Sequence, residues 1–161
     1  MVSIDELKKI SVLDSLTRPM LEKLQPLAQL NLFGEGHVIF EAGQDAAHFY
    51  MLLKGKVVIE VEASELIMLS LESVKPGQSF GWSALGPGSK YRAYGICVEP
   101  CEVIEVRSGE FLELLDGDQT LGYNFMKRVA AILKRRVERR TEQFLKVMAK
   151  HPDLQKLMGL S

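Results

Sequence analysis

No stretch of this 161-residue sequence holds the ~20 consecutive apolar residues that a membrane-spanning helix requires. Its opening, MVSIDELKKI, lacks a basic segment followed by an apolar one, so a soluble cytoplasmic protein with no membrane partner is the expectation. An excess of one charge is also missing: 20 Lys and Arg stand against 21 Asp and Glu, for a net charge of −1. No overall field therefore draws the chain to nucleic acid or to an acidic membrane. Cysteine is scarce. Cys97 and Cys101 flank Pro100 at a spacing that fits no metal or redox motif, and read as small buried hydrophobes in a reducing compartment. The three histidines, His37, His48 and His151, fall on separate segments without the close spacing a metal site needs, so no metal is expected. A Walker loop, a nucleophile elbow and a G-x-G-x-x-G turn are all absent, and the chain reads as non-enzymatic.

What is present is globular: 47% apolar and 25% charged residues, too hydrophobic for disorder. The length suits one domain with an ordinary core and one appended element. Ser3 with Glu6 forms a capping box ahead of a short helix, and Thr17, with Pro19 in the first turn, predicts a second through Met20, Leu21, Leu24 and Leu27. From Leu30 the apolar period changes to two. Strands are predicted over 29–33, 37–40, 49–53, 57–61 and 66–71, with glycines at the turns and a tight hairpin at Lys54-Gly55-Lys56. Short strands with turn signals every eight to twelve residues argue for an all-β sandwich or barrel. At Ser108 the pattern returns to helix: Ser108 is expected to cap a short one through Leu115, and a long one follows from Asp118 to about Lys150 with only Gly122 as a weak point.

The stretch from Lys75 to Val106 is where a ligand pocket is expected. A Pro-Gly turn at Pro76-Gly77, the tight Gly81 and the loop Gly86-Pro87-Gly88 precede two apolar strands. Backbone amides bunched at such a turn make a cradle for a small anion.

Helix, about eight short strands, small helix and long helix, with glycines in "EGHVIF", "EAGQ", "LLKGKVVIEV" and "KPGQSFG", together resemble the cyclic-nucleotide-binding domain. That family includes catabolite-activator regulators, regulatory subunits of cyclic-AMP-dependent kinase and the gates of some ion channels. The resemblance covers roughly residues 4 to 150. It implies a mainly-β double-stranded β-helix (jelly-roll) with flanking helices and a long C-terminal helix, divided as residues 1–117 and 118–161. It also implies a phosphate-binding cassette of the form F-G-E-x-A-L, a loop, then R-x-A. Here the cassette reads Phe80-Gly81-Trp82-Ser83-Ala84-Leu85 and Tyr91-Arg92-Ala93. The glutamate that would bind the ribose is Trp82, and the arginine that would pair with the phosphate is Tyr91. Arg92 is one residue out of register, which sends it to the opposite face unless a bulge intervenes.

Two charge-assisted anchors are together worth about 3–6 kcal/mol. Their loss lowers affinity by roughly two to four decades. The resulting expectation is a cyclic-nucleotide-binding-like sensory module that is not a high-affinity cyclic-nucleotide binder and carries no cofactor. Trp82 and Tyr91 fill the pocket in this reading. The alternatives are a true binder of a cyclic nucleotide or other small anion through Ser83 and Arg92, a protein-interaction pseudo-sensor, and, last, a metal-dependent cupin enzyme.

The long helix carries a seam through Leu121, Phe125, Val129, Leu133 and Val137, continuing through Thr141 to Phe144 and Met148. Steps of three and four along a narrow stripe suit a partner helix, so a homodimer through these residues is expected. Lys127, Arg128, Lys134, Arg135, Arg136, Arg139 and Arg140 read as a solvated face interspersed with Glu138 and Glu142. The eleven residues after this helix cannot hold a helix-turn-helix, and direct DNA binding is not expected. The resemblance implies that a ligand at residues 80–93 repositions the long helix. Leu154, Leu157 and Met158 are expected to fold back as a final turn.

Overall fold

Among the residues that the computed structural model describes, 1–157 and 159, the period-two region forms eight strands in two four-stranded sheets. One sheet has the order β1 (Gln29–Phe33), β8 (Cys101–Arg107), β3 (His48–Lys54), β6 (Ser79–Phe80). The other runs β2 (Val38–Phe40), β7 (Tyr94–Cys97), β4 (Val57–Ser64), β5 (Ile67–Val74). Every pairing is antiparallel. The chain crosses repeatedly between sheets, as a jelly-roll requires, and helices flank it at both ends. Mainly-β architecture and the long C-terminal helix both stand as expected.

Along β3, alternate side chains go to opposite faces. Phe49 and Met51 look toward helices, whereas Tyr50 looks toward the second sheet, where its ring stacks on Phe40 at 5.7 Å. Phe49 meets Phe111 of α3 (Ser108–Gly117) at 6.1 Å and Phe125 of α4 (Gln119–Ala149) at 6.2 Å. Around them pack Leu7 of α1 (Ile4–Lys8) and Leu21 and Leu24 of α2 (Arg18–Leu24), all buried.

Several local signals act differently from their expectation. The Ser3–Glu6 capping box forms. Thr17 sits at its N-cap position without a side-chain cap bond, because Pro19 and the fixed φ of the first turn suffice to start α2. Ser108 is the first helical residue, not the cap; its hydroxyl donates to the Ala84 carbonyl at 2.5 Å. Asp118 does cap the long helix, accepting from the Leu121 amide at 3.1 Å while Lys23 donates to it at 2.6 Å. That ammonium, with the backbone bond to Leu121, holds the Asp118 carboxyl below its usual range.

Gly122 is no weak point. A Cβ there would stand 2.4 Å from the Leu115 carbonyl oxygen, so glycine is what lets α4 approach the end of α3. Leu121 and Phe125 are consequently buried in this core, which removes both from any surface that a second copy could cover. The compact units of the chain are Met1–Phe125 and Met126–Ser161, and α4 contributes residues to both.

The second unit is the remainder of α4 and the short α5 (Pro152–Leu157). Of the residues expected to fold back, Leu154 is half-buried, Leu157 is exposed, and Met158 lies outside the described residues. Val137, Phe144, Leu145 and Val147 are exposed large apolar side chains. No helix among the described residues is long and apolar enough to cross a membrane.

Candidate functional site

The expected cassette begins where β6 ends. Phe80 pairs with Tyr50 across the sheet, and Gly81 turns the chain with φ of 74°. Glycine is required here twice over: the conformation is left-handed, and a Cβ would lie 2.8 Å from the Tyr50 ring and 3.3 Å from the His48 carbonyl oxygen. Trp82–Leu85 then form one 3₁₀ turn. Within it the Ala84 amide donates to the Gly81 carbonyl at 3.1 Å and is therefore committed to the turn. The anion cradle expected from the Ser83 and Ala84 amides loses that donor. Ser83 and Leu85 are half-buried, and Ala84 is fully buried.

Trp82 and Tyr91 do not share one hollow. Trp82 presents its edge to Phe49, with centroids 5.2 Å apart and planes at 66°, and so belongs to the helix-side aromatic group of Phe49, Phe111 and Phe125. Tyr91 lies between the sheets, stacked on Phe40 at 4.1 Å, and Phe40 also meets Tyr50 and Phe80. Because Phe49 and Tyr50 are successive residues of β3, these two groups occupy opposite faces of the sheet.

Only 5% of Tyr91 is exposed, and its hydroxyl is spent on the backbone of His48: it donates to the carbonyl at 2.5 Å and accepts from the amide at 3.1 Å. Burial raises its ionisation above the usual tyrosine value, partly offset by the bond to His48. Tyr50 is raised further, by burial first and then by Tyr91 and Glu105 beside it. Neither hydroxyl is an anion at ordinary pH, and neither supplies the positive charge that a cyclic phosphate would pair with. Arg92 is exposed, and Ala93 is half-buried.

Sequence reasoning missed Phe40, Gly95 and Glu105. Gly95 would be hard to single out without the fold, since it is one glycine among 13. A Cβ on it would lie 2.7 Å from the Phe40 ring, so its bareness makes room for the stack. Both cysteines are free and buried. Burial and the neighbouring Cys101 push the Cys97 thiol up to about 12, which leaves it unreactive at neutral pH. Among the described residues no group of three or more His, Cys, Asp or Glu could hold a metal ion.

The cyclic nucleotide-binding domain model matches residues 30–118, more than half of the sequence and the whole β-roll. The chain belongs to this family. It is 25% identical over 145 residues to the cAMP-activated global transcriptional regulator CRP of Haemophilus influenzae, a match taking in 89% of this chain and 63% of that protein. The chain thus spans under two thirds of its relative's length. Among solved structures, a Geobacter metallireducens protein provisionally described as cyclic nucleotide-binding is 27% identical, with a TM-score of 0.75 over 85% of this chain and 99% of that one. The Thermus thermophilus Catabolite Activator Protein shares the fold at 22% identity and a TM-score of 0.72, over 86% of this chain and 63% of that one. The sensor domain of the transcriptional regulator DNR from Pseudomonas aeruginosa does so at 21% and 0.68, over 83% and 90%. Cyclic nucleotide-binding domains of this regulatory kind are the setting in which the aromatic substitutions have to be read.

Proposed function

We propose that the chain is a regulatory sensor module of this family that does not hold a cyclic nucleotide tightly. The observation that carries the reading is Tyr91. At the position where the family's pattern places a phosphate-pairing arginine, a buried ring is stacked on Phe40 and its hydroxyl is committed to His48. The neighbouring Arg92 is exposed, in the loop before β7. With the ribose-binding acid also replaced, by Trp82, a nucleotide at residues 80–93 forgoes two charge-assisted anchors.

What the turn retains is a mechanical link to the helices. Ser108 at the head of α3 donates to the Ala84 carbonyl, and Trp82 touches Phe49, which in turn touches Phe125 at the start of α4. A change at Trp82–Leu85 therefore reaches the head of α3 through Ser108 and the first turns of the long helix through Phe49. The output of the module, in this reading, is the pairing of α4 with a second copy.

Calorimetry of the chain with cyclic AMP and cyclic GMP tests the proposal. No heat is expected with either nucleotide at micromolar concentration, with dissociation constants no tighter than about millimolar. A micromolar constant for either one means that the pocket opens and that Tyr91 is not its obstacle.

A further inference from the structure

A cleft of about 520 Å³ is lined by residues of both sheets, Phe33, Tyr50 and Glu105 of one and Ile39 and Phe40 of the other. Its walls are the rings of Phe33, Phe40, Tyr50 and Tyr91, and Glu105 and His48 reach into it from β8 and β3. None of the cassette residues other than Tyr91 lines it. Glu105 is directly opposite Tyr50 in the β3–β8 ladder and opposite Gln29 in the β1–β8 ladder, so its carboxylate shares the face of the sheet that carries Tyr50. It is half-buried and makes no ion pair among the described residues. The one other carboxylate on the lining, Asp45, is already paired with Lys90 at 3.4 Å, and His37 is stacked on Phe33 at 4.5 Å.

We infer that this cleft is a binding site for a small alkylated ammonium cation, with Glu105 as its counter-charge and the aromatic rings as its walls. An anion is disfavoured by the half-buried carboxylate, whose charge adds to the burial that raises both neighbouring hydroxyls. A metal ion would need several oxygen or nitrogen donors in place of its water shell, and no such group exists among the described residues. A compact primary ammonium is strongly hydrated and would exchange its water for a lining in which Glu105 is the one carboxylate not in an ion pair. A quaternary or trimethylated ammonium is weakly hydrated, gains from the faces of aromatic rings, and completes an otherwise unpaired carboxylate. The inference is independent of the reading of residues 80–93, because Tyr91 is the one cassette residue on the cleft and the two sites call for ligands of opposite charge.

The test compares choline with its uncharged isostere, in which carbon replaces the quaternary nitrogen, by calorimetry on the full chain at low ionic strength. Choline is expected to bind at least about tenfold more tightly than the isostere. Equal binding of the two, or no binding of choline, overturns the assignment. Glu105→Gln, which keeps the strand and the side-chain shape, should erase the preference for choline while the melting temperature holds. A retained preference overturns the role of Glu105. Ring-proton shifts of Phe33 and Tyr50 on choline addition, read by NMR on the unsubstituted chain, place the cation without any variant; shifts confined to other residues reject the site. Cyclic-nucleotide titrations bear on none of these outcomes.

Discussion

Tyr91 carries more of the site than any other residue, and its ring and hydroxyl act separately. Tyr91→Phe keeps the stack on Phe40 but strands the His48 amide and carbonyl, so stability should fall by about 1–3 kcal/mol in chemical denaturation. A change under about 0.5 kcal/mol would show that water replaces the hydroxyl. The same tyrosines set an alkaline limit. Tyr50 and Tyr91 ionise at higher pH in the folded state than the value of about 10 that they have when unfolded. Above about pH 10 the unfolded chain therefore gives up protons that the folded chain keeps, and stability falls as pH rises. That decline should be shallower in Tyr91→Phe. At this scale the sequence announced the substitution, since a tyrosine stands where the family's pattern has an arginine. It did not announce Phe40 or Gly95, whose relation to Tyr91 exists only once β2 and β7 are paired.

Among the elements, the strands were legible because apolar alternation and turn glycines coincide, and their ends moved by only a few residues. β5 is the instructive case. Its apolar run, Ile67, Met68, Leu69 and Leu71, reads as a strand, yet these side chains are exposed, because β5 is the edge of its sheet and its first residues pair with the part of β4 that extends past β7. Edge position is a property of strand order, which alternation does not encode. The junction of α3 and α4 was misread in the opposite direction. Gly122 looked like a flaw in a helix, since glycine costs roughly 1 kcal/mol relative to alanine there. The Leu115 carbonyl makes it a requirement. Gly122→Ala should lower the melting temperature despite the better helix former, by the equivalent of roughly 1–3 kcal/mol from overpacking. A raised melting temperature would show that α3 and α4 can separate without loss.

At the scale of the whole molecule, α4 presents exposed apolar side chains, Val137 and Phe144 among them. With Leu121 and Phe125 in the core and Val129 buried, the seam available to a second copy is Leu133, Val137, Phe144 and Met148, of which Val137 and Phe144 are the most open. Their spacing keeps to one narrow stripe of the helix, as a two-helix contact needs. We propose the homodimer on these residues, and Val137→Asp with Phe144→Asp should convert it to a monomer in sedimentation velocity at unchanged helix content. A dimer that survives both substitutions, or an unsubstituted chain that sediments as a monomer, refutes the seam. The sequence by itself determined the roll, its terminal helices and the replacement of the cassette's two charged anchors, because periodicity, glycine turns and residue identity are local properties. Only the tertiary structure decided that Trp82 and Tyr91 lie on opposite sides of one sheet, that Leu121, Phe125 and Val129 of the predicted seam are buried, and that Glu105 makes no ion pair among the described residues beside an aromatic-lined cleft. Those facts depend on which strands lie side by side and how closely two helices approach, and no short window of residues contains either.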